Sequence, residues 1–250
     1  MFVHLAREAD VGVIMRRGPT NWWHLTLWNT RSDRFEKGQW FRGRVYPEKC
    51  DVSPDGKLFV YFAGKFKGHL PGGYDDTWTA VSRSPYFTAL ALWTLGGTWQ
   101  GGGIFKDNQT VTINQGKEHP NHPSGPLSVV EWWPGAKNSY LAGWVDGAPE
   151  GQPLRRAWRK TNGDVTLERS AIDPWGKPSN SRVYRDIERP IAEFEAHWAD
   201  FDQRGRLVAT AGGRVLEGKL TKKNALEWRE LAAFHEERPE RTEAPEWAQH

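Results

Sequence analysis

Cys50-Asp51-Val52-Ser53-Pro54-Asp55-Gly56-Lys57-Leu58-Phe59-Val60-Tyr61 is the stretch from which the fold is read. A short strand, a Ser-Pro-Asp-Gly turn and a second apolar strand follow one another. Pro54 presets one backbone angle of the turn, and Gly56 supplies the positive φ that closes it. The same spacing recurs in Asp200-Phe201-Asp202-Gln203-Arg204-Gly205-Arg206-Leu207-Val208. In both, an apolar residue precedes a Leu by six positions, with Gly at the fourth step. Phe105-Lys106-Asp107-Asn108-Gln109-Thr110-Val111 keeps the apolar pair six apart, with Gln in the place of Gly.

The anchors Val52, Phe105 and Phe201 lie 53 and 96 residues apart. A unit of about 50 residues with one unmarked copy accounts for both intervals, and four-stranded propeller blades have that length. The rest of the chain fits strands as well. Phe2 to Leu5 and Val11 to Met15 are short apolar runs. Trp22 to Trp28, the turn Asn29 to Asp33 and the returning Phe35 to Phe41 form a hairpin pattern. The expectation is an all-β fold: a β-propeller of five blades, mostly of four antiparallel strands. The blades run Met1 to Val45, Tyr46 to Leu95, Gly96 to Trp133, Pro134 to Pro178 and Ser179 to Phe234. One domain then spans residues 1–235, with the N-terminal strand completing the last sheet. Residues 236–250 are Pro- and Glu-rich and read as a flexible tail, with Trp247 as a docking anchor. Ile191 to Trp198 and Asn224 to Phe234 fit strand and helix alike.

Asp51 to Leu58 resembles the repeat of TolB-like and WD40-like β-propellers. Those blades carry a Ser-Pro-Asp-Gly-Lys turn between two inner strands. The second copy departs from that pattern at Gln203-Arg204, and Trp28-Asn29 is a loose echo of the Trp-Asp ending of WD40 repeats. The resemblance implies a disc of blades and no particular activity, because propellers host unrelated functions.

Composition agrees with strands. The 250 residues include 15 Trp, 11 Phe and 6 Tyr, with 26 Gly and 16 Pro. Aromatics favour strands, and Gly and Pro favour turns. The single Cys excludes an internal disulfide and a Cys-based zinc site. Cys50 itself reads as a small buried residue. A net charge of +3, from 34 basic and 31 acidic residues, is no basic footprint of a dedicated nucleic-acid binder. The first eighteen residues lack a basic n-region followed by an apolar h-region. The longest uncharged apolar stretch, Pro85 to Gly97, is shorter than the about 20 residues a membrane span needs. A cytoplasmic protein with no membrane partner is expected.

Motifs of catalysis are missing. Gly116-Lys117 is followed by Glu and Gly218-Lys219 by Leu, so neither is a phosphate-binding loop. No G-x-S-x-G elbow occurs, and His235-Glu236 runs into Glu-Arg-Pro. His119 and His122 are a close His pair, but ligand count argues against a metal, and none is expected. No cofactor is expected either. Asp51, Asp55, Asp200 and Asp202 invite a glycosidase reading, which needs two acids flanking a bond. All four sit in repeat turns, where Asp commonly bonds backbone N–H groups. Glu131, Asp146 and Asp186 are alternative acids.

Binding is therefore sought among aromatics and cations. In the pairs Trp22-Trp23 and Trp132-Trp133, neighbours in a strand point to opposite faces. One of each pair fills a blade interface, and Trp left exposed would be stacking platforms. Arg16, Arg17, Arg42, Arg44 and Arg83, with Arg155, Arg156 and Arg159, are the arginine clusters. Arginine beside aromatics suits anionic groups and cation–π contact. The leading expectation is a non-catalytic module that binds a protein or peptide. The alternative is a carbohydrate-binding or glycoside-hydrolysing propeller; a nucleic-acid partner ranks behind both.

Overall fold

β1 (Phe2–Leu5), β2 (Val11–Arg17), β3 (Trp22–Asn29) and β4 (Arg34–Arg42) form a first sheet in chain order. They belong to a computed structural model that describes residues 1–66, 75–122, 127, 129–132, 158–169, 179–185 and 189–249. A second sheet contains β5 (Arg44–Val45), β6 (Asp51–Val52), β7 (Leu58–Gly64), β8 (Thr77–Arg83) and β9 (Ala89–Leu95). β10 (Gly103–Phe105) and β11 (Thr110–Ile113) open a third. β12 (Lys117–Glu118) then returns to the second sheet beside β9, and β13 (Val129–Trp132) runs parallel to β11. β14 (Trp158–Asn162), β15 (Val165–Arg169), β16 (Ser179–Tyr184) and β17 (Ala192–Ala196) make a fourth sheet. β18 (Trp198–Phe201), β19 (Leu207–Ala211), β20 (Arg214–Leu220) and β21 (Leu226–Ala233) make a fifth. The protein is all-β, with several mostly four-stranded antiparallel sheets.

Each of the three repeat turns joins two neighbouring strands of one sheet. Phe105 faces Val111 and Phe201 faces Leu207. Val52 instead faces Phe59, one residue beyond the Leu58 that matches Leu207 in spacing. The Ser-Pro-Asp-Gly-Lys loop thus holds one residue more than its counterpart, although the sequence spacing is identical. Gly56 and Gly205 have φ of 79° and 75°, as the turns require. The turn carboxylates hold these loops. Asp55 accepts from the Lys57 N–H, Asp107 from Gln109 and Thr110, and Asp202 from Arg204 and Arg206.

Several boundaries differ from the expectation. β1 pairs with β2 in the first sheet and does not complete the last one, whose four strands are β18 to β21. β5 pairs with β7, so the second sheet begins at Arg44 and not at Tyr46. β16 and β17 complete the fourth sheet, so the fifth begins at Trp198 and not at Ser179. The cause is a break at His197, whose N–H bonds the Thr210 carbonyl and turns the chain from β17 into β18. The ambiguous segment 191–198 is therefore strand, break, strand, and Asn224 to Phe234 contains β21. The third sheet has three strands and a parallel pair, because Lys117–Glu118 pairs with the second sheet.

The chain divides into two compact units. The larger holds Val3–Ser139 and Arg238–His250, the smaller Met1–Phe2 and Tyr140–Glu237. In the larger, Val60, Val81, Trp93, Phe105, Val111 and Ile113 form a core cluster. In the smaller, Leu167, Val183, Ala199, Phe201 and Leu207 do so. Each buried Val, Leu, Ile or Phe among them contributes about 1.5–3 kcal/mol over its exposed state. Turns of successive sheets also touch. The Asn108 side chain accepts the Asp55 N–H at 2.8 Å in the larger unit. Asn162 donates to the Gly205 carbonyl at 2.8 Å in the smaller. In the smaller unit Thr210 also bonds the Met1 carbonyl.

Within the segment whose composition suggests a flexible tail, residues 242–249 pack on the protein. Ala244 and Ala248 are buried against Tyr86, and Glu246–Ala248 form a 3-10 turn. Small side chains let the segment lie flat on the ring, which a tally of Pro and Glu does not register.

Candidate functional site

At one end of the first two sheets, five chain segments meet within the larger unit. The β2–β3 turn passes through Thr20 and Asn21, both at positive φ, and the Gly43 N–H donates to the Asn21 carbonyl at 2.9 Å. Gly43 links β4 to β5. A Cβ there would lie 2.4 Å from the Phe41 ring and 2.9 Å from the Gly64 carbonyl, so only glycine allows this approach. β5 pairs with the end of β7 at Gly64, and Gly64 pairs with Thr77 at the start of β8. The Thr77 hydroxyl donates to the Gly97 carbonyl at 2.6 Å, which brings in the loop after β9.

Cations lie over aromatic rings along this end. Arg42 sits 6.0 Å from the Trp22 ring centre, Arg44 5.1 Å from Tyr46 and Lys65 5.3 Å from Phe41. Arg42, Arg44 and Lys65 are exposed, so each guanidinium or ammonium is held by its ring and still faces solvent. Behind them Arg16, His24 and Trp40 share one row of the first sheet. The His24 ring stacks on Trp40 at 4.3 Å, and Arg16 lies 5.0 Å from the same ring. These three are buried and form the packed support of the end. Trp22 meets Trp40 edge-on at 6.4 Å.

The loop after β9 carries Trp99, which is 91% exposed. Its backbone is held by Lys49, a buried lysine on the 3-10 turn Pro47–Lys49. The Nζ donates to the carbonyls of Thr98, Trp99 and Gln100 at 2.6, 3.2 and 3.0 Å. Three donors meet three acceptors, while Phe62 and Tyr46 lie 4.8 and 5.7 Å away as rings. Burial pulls the Lys49 pKa down to about 8, and the neighbouring Glu48 opposes that shift. Burial likewise raises the Glu48 carboxyl. Gly101 closes the loop at φ 91°, where a Cβ would lie 2.1 Å from Phe62. Phe66, 51% exposed, reaches the same edge, with its ring tip against Gly64. Asp75 and Asp76 are exposed beside it. The end therefore combines exposed aromatics with charges of both signs.

Of the residues singled out from sequence, Arg16, Arg17, Trp22, Trp23, Arg42 and Arg44 gather at this end. Trp23 faces Phe41 in register, and Phe41 packs on Trp78 and Phe87. Arg83 does not join them; it ends β8 opposite Leu58, at the other end of the second sheet. Trp132 lies in β13, and Trp133 lies outside the described residues, as do Arg155, Arg156, Asp146 and Asp186. Trp99, Lys49, Lys65 and Phe66 were not anticipated. The signal for Trp99 was present: a lone Trp among Gly96, Gly97, Gly101, Gly102 and Gly103 has no strand in which to be buried.

The acids are engaged elsewhere. Asp51 accepts the Phe105 N–H at 2.9 Å and lies 3.6 Å from Arg7. Burial raises its pKa to about 6 in spite of both partners. Asp200 pairs with Lys160 at 2.7 Å, and burial raises it too. Asp55 and Asp202 hold the turns. The His119 and His122 rings lie 5.7 Å apart. Among the described residues no group of three or more His, Cys, Asp or Glu is placed to hold a metal ion. Among them no helix is long and apolar enough to cross a membrane.

Comparison of the chain with known protein families, with curated proteins and with solved structures returns no match.

Proposed function

We propose that the protein is a non-catalytic propeller that binds a protein or peptide through the end formed by Trp22, Arg42, Arg44, Lys65 and Trp99. The observation that carries this reading is Trp99. A large aromatic side chain is presented to solvent on a backbone that Lys49 holds at three successive carbonyls. Such pre-ordering lowers the entropy lost on binding. Exposed Trp and Arg are the residue types that dominate binding energy at protein interfaces. Asp75 and Asp76 beside the cations fit a mixed-charge protein surface better than a purely cationic nucleic-acid track.

The blade reading is supported by the order of the sheets along the chain and by the repeat turns. These turns join the strands of the second, third and fifth sheets and touch their neighbours through Asn108 and Asn162. β6 lies beside β10 and β14 beside β18, as inner strands of adjacent blades would. Ring closure belongs to the proposal.

The test is affinity capture from native extract with the wild-type chain and with a Trp99→Ala, Arg44→Glu variant. A partner retained by the first and lost by the second is expected. Capture indifferent to these residues, or binding on a glycan array in its place, would overturn the reading.

A further inference from the structure

Residues 242–249 are seated on β4 and the Pro85–Thr88 stretch. The Gln39 amide accepts the Phe87 N–H at 2.8 Å, which fixes its orientation, and donates to the Thr242 carbonyl at 3.1 Å. Ala244 and Ala248 lie on Tyr86, and Ala248 is wholly buried, so that position admits no larger side chain. Trp247 meets the Tyr86 ring edge-on at 5.5 Å and remains 57% exposed. The segment also folds on itself. The Ala248 N–H bonds the Pro245 carbonyl, and Gln249 donates to the Ala244 carbonyl at 2.7 Å.

Tyr86, Ala244 and Ala248 form a small cluster of their own, apart from the core of the sheets. The segment is preceded by the polar stretch Glu236 to Arg241, and none of its residues belongs to the core cluster of the sheets. It can therefore leave without opening the main core. Its contacts state what the groove accepts: a small residue, a Trp three positions later, a small residue next, and a backbone carbonyl for Gln39.

We propose that this groove is a docking site for a partner-protein segment of that chemistry, Ala-x-x-Trp-Ala in its simplest form, and that residues 242–249 occupy it in cis as a competitor. A tethered competitor acts at an effective concentration in the millimolar range. It lowers the apparent affinity of any incoming peptide by the fraction of chains in which the groove is open. Its test alters none of Trp22, Arg42, Arg44, Lys65 and Trp99.

The probe is a fluorescein-labelled peptide of residues 239–249, titrated by anisotropy against the full-length chain. Ala248→Arg in the chain expels the cis segment and should tighten peptide binding at least tenfold over wild type. A peptide carrying Trp247→Ala, or a chain combining Ala248→Arg with Gln39→Ala, should lose that gain. Equal binding by wild type and Ala248→Arg, or none by either, overturns the proposal. So does loss of cooperative thermal unfolding in Ala248→Arg, which would make the segment part of the core. A concentration-dependent dimer of the wild-type chain would identify a second copy as the occupant and overturn the partner assignment.

Discussion

The Lys49 ammonium donates to the Thr98 carbonyl at 2.6 Å, across 49 positions of sequence. With the Trp99 and Gln100 carbonyls it forms a cage in which one cation orders three residues of a glycine-rich loop. Lys49→Met keeps the stem and removes the donors. Charge-assisted bonds of this kind contribute roughly 1.5–3 kcal/mol each, offset by the cost of burying the cation. A net loss of about 2 kcal/mol is expected, with faster amide exchange at residues 98–101. Unchanged exchange there would show that the loop is ordered without Lys49.

Gly101 should tolerate no side chain. Its φ of 91° and a Cβ position 2.1 Å from the Phe62 ring act together. Gly101→Ala is expected to cost more than about 3 kcal/mol, because a buried ring would have to move in a close-packed interior. Denaturant unfolding measures it, and a loss under 1 kcal/mol would mean that Phe62 has room to turn.

Asp51 makes stability depend on pH in a defined window. Its folded carboxyl keeps a proton up to about pH 6, against 3.8 for the ordinary group. Between those values the folded chain binds more protons than the unfolded one, so stability falls as pH rises. The contribution is full below 3.8, is gone above 6 and amounts to about 2–3 kcal/mol. Asp51→Asn should remove this fall from the pH profile of thermal melting. A profile identical to wild type between pH 4 and 6 would assign the proton elsewhere.

Asp202 should matter more than its turn position implies. Its side chain is wholly buried and accepts from the Arg204 N–H, the Arg206 N–H and the Arg206 guanidinium at 3.0, 2.8 and 2.7 Å. Asp202→Ala strands these donors and is expected to cost about 3 kcal/mol. Asp55, half-buried with its nearby N–H and hydroxyl donors, should cost less. An equal loss at both positions would show that burial adds nothing.

Thr210 bonds the Met1 carbonyl at 2.8 Å. Thr210→Val removes that bond at nearly constant volume and should cost about 1 kcal/mol. Deleting residues 1–7, which include the buried Phe2 and Val3, should lower the melting temperature sharply. An unchanged melting point after the deletion would show that β1 adds nothing to the stability of the first sheet.

The amino-acid sequence settled what depends on neighbours along the chain. Period-two alternation and turn chemistry are local, so the strands, the three repeat hairpins and the turn-holding role of Asp55 and Asp202 were legible, whereas Asp51 and Asp200, read the same way, lie in strands and bond Phe105 and Lys160. Clustering of Trp22 with Arg42 and Arg44 was half legible, because aromatics and arginines stand out but their strand ends do not. What folding in three dimensions added depends on partners far apart in sequence. Identical spacing hid a one-residue difference in register between Val52–Phe59 and Phe201–Leu207. The break at His197 rests on the Thr210 carbonyl, and the seat of residues 242–249 rests on Gln39 and Tyr86. Of the Trp residues, Trp28, Trp40, Trp78, Trp93 and Trp198 are buried, and Trp99 is left to solvent by a lysine fifty positions earlier. Composition counts such residues alike; only long-range hydrogen bonds and packing separate core from surface.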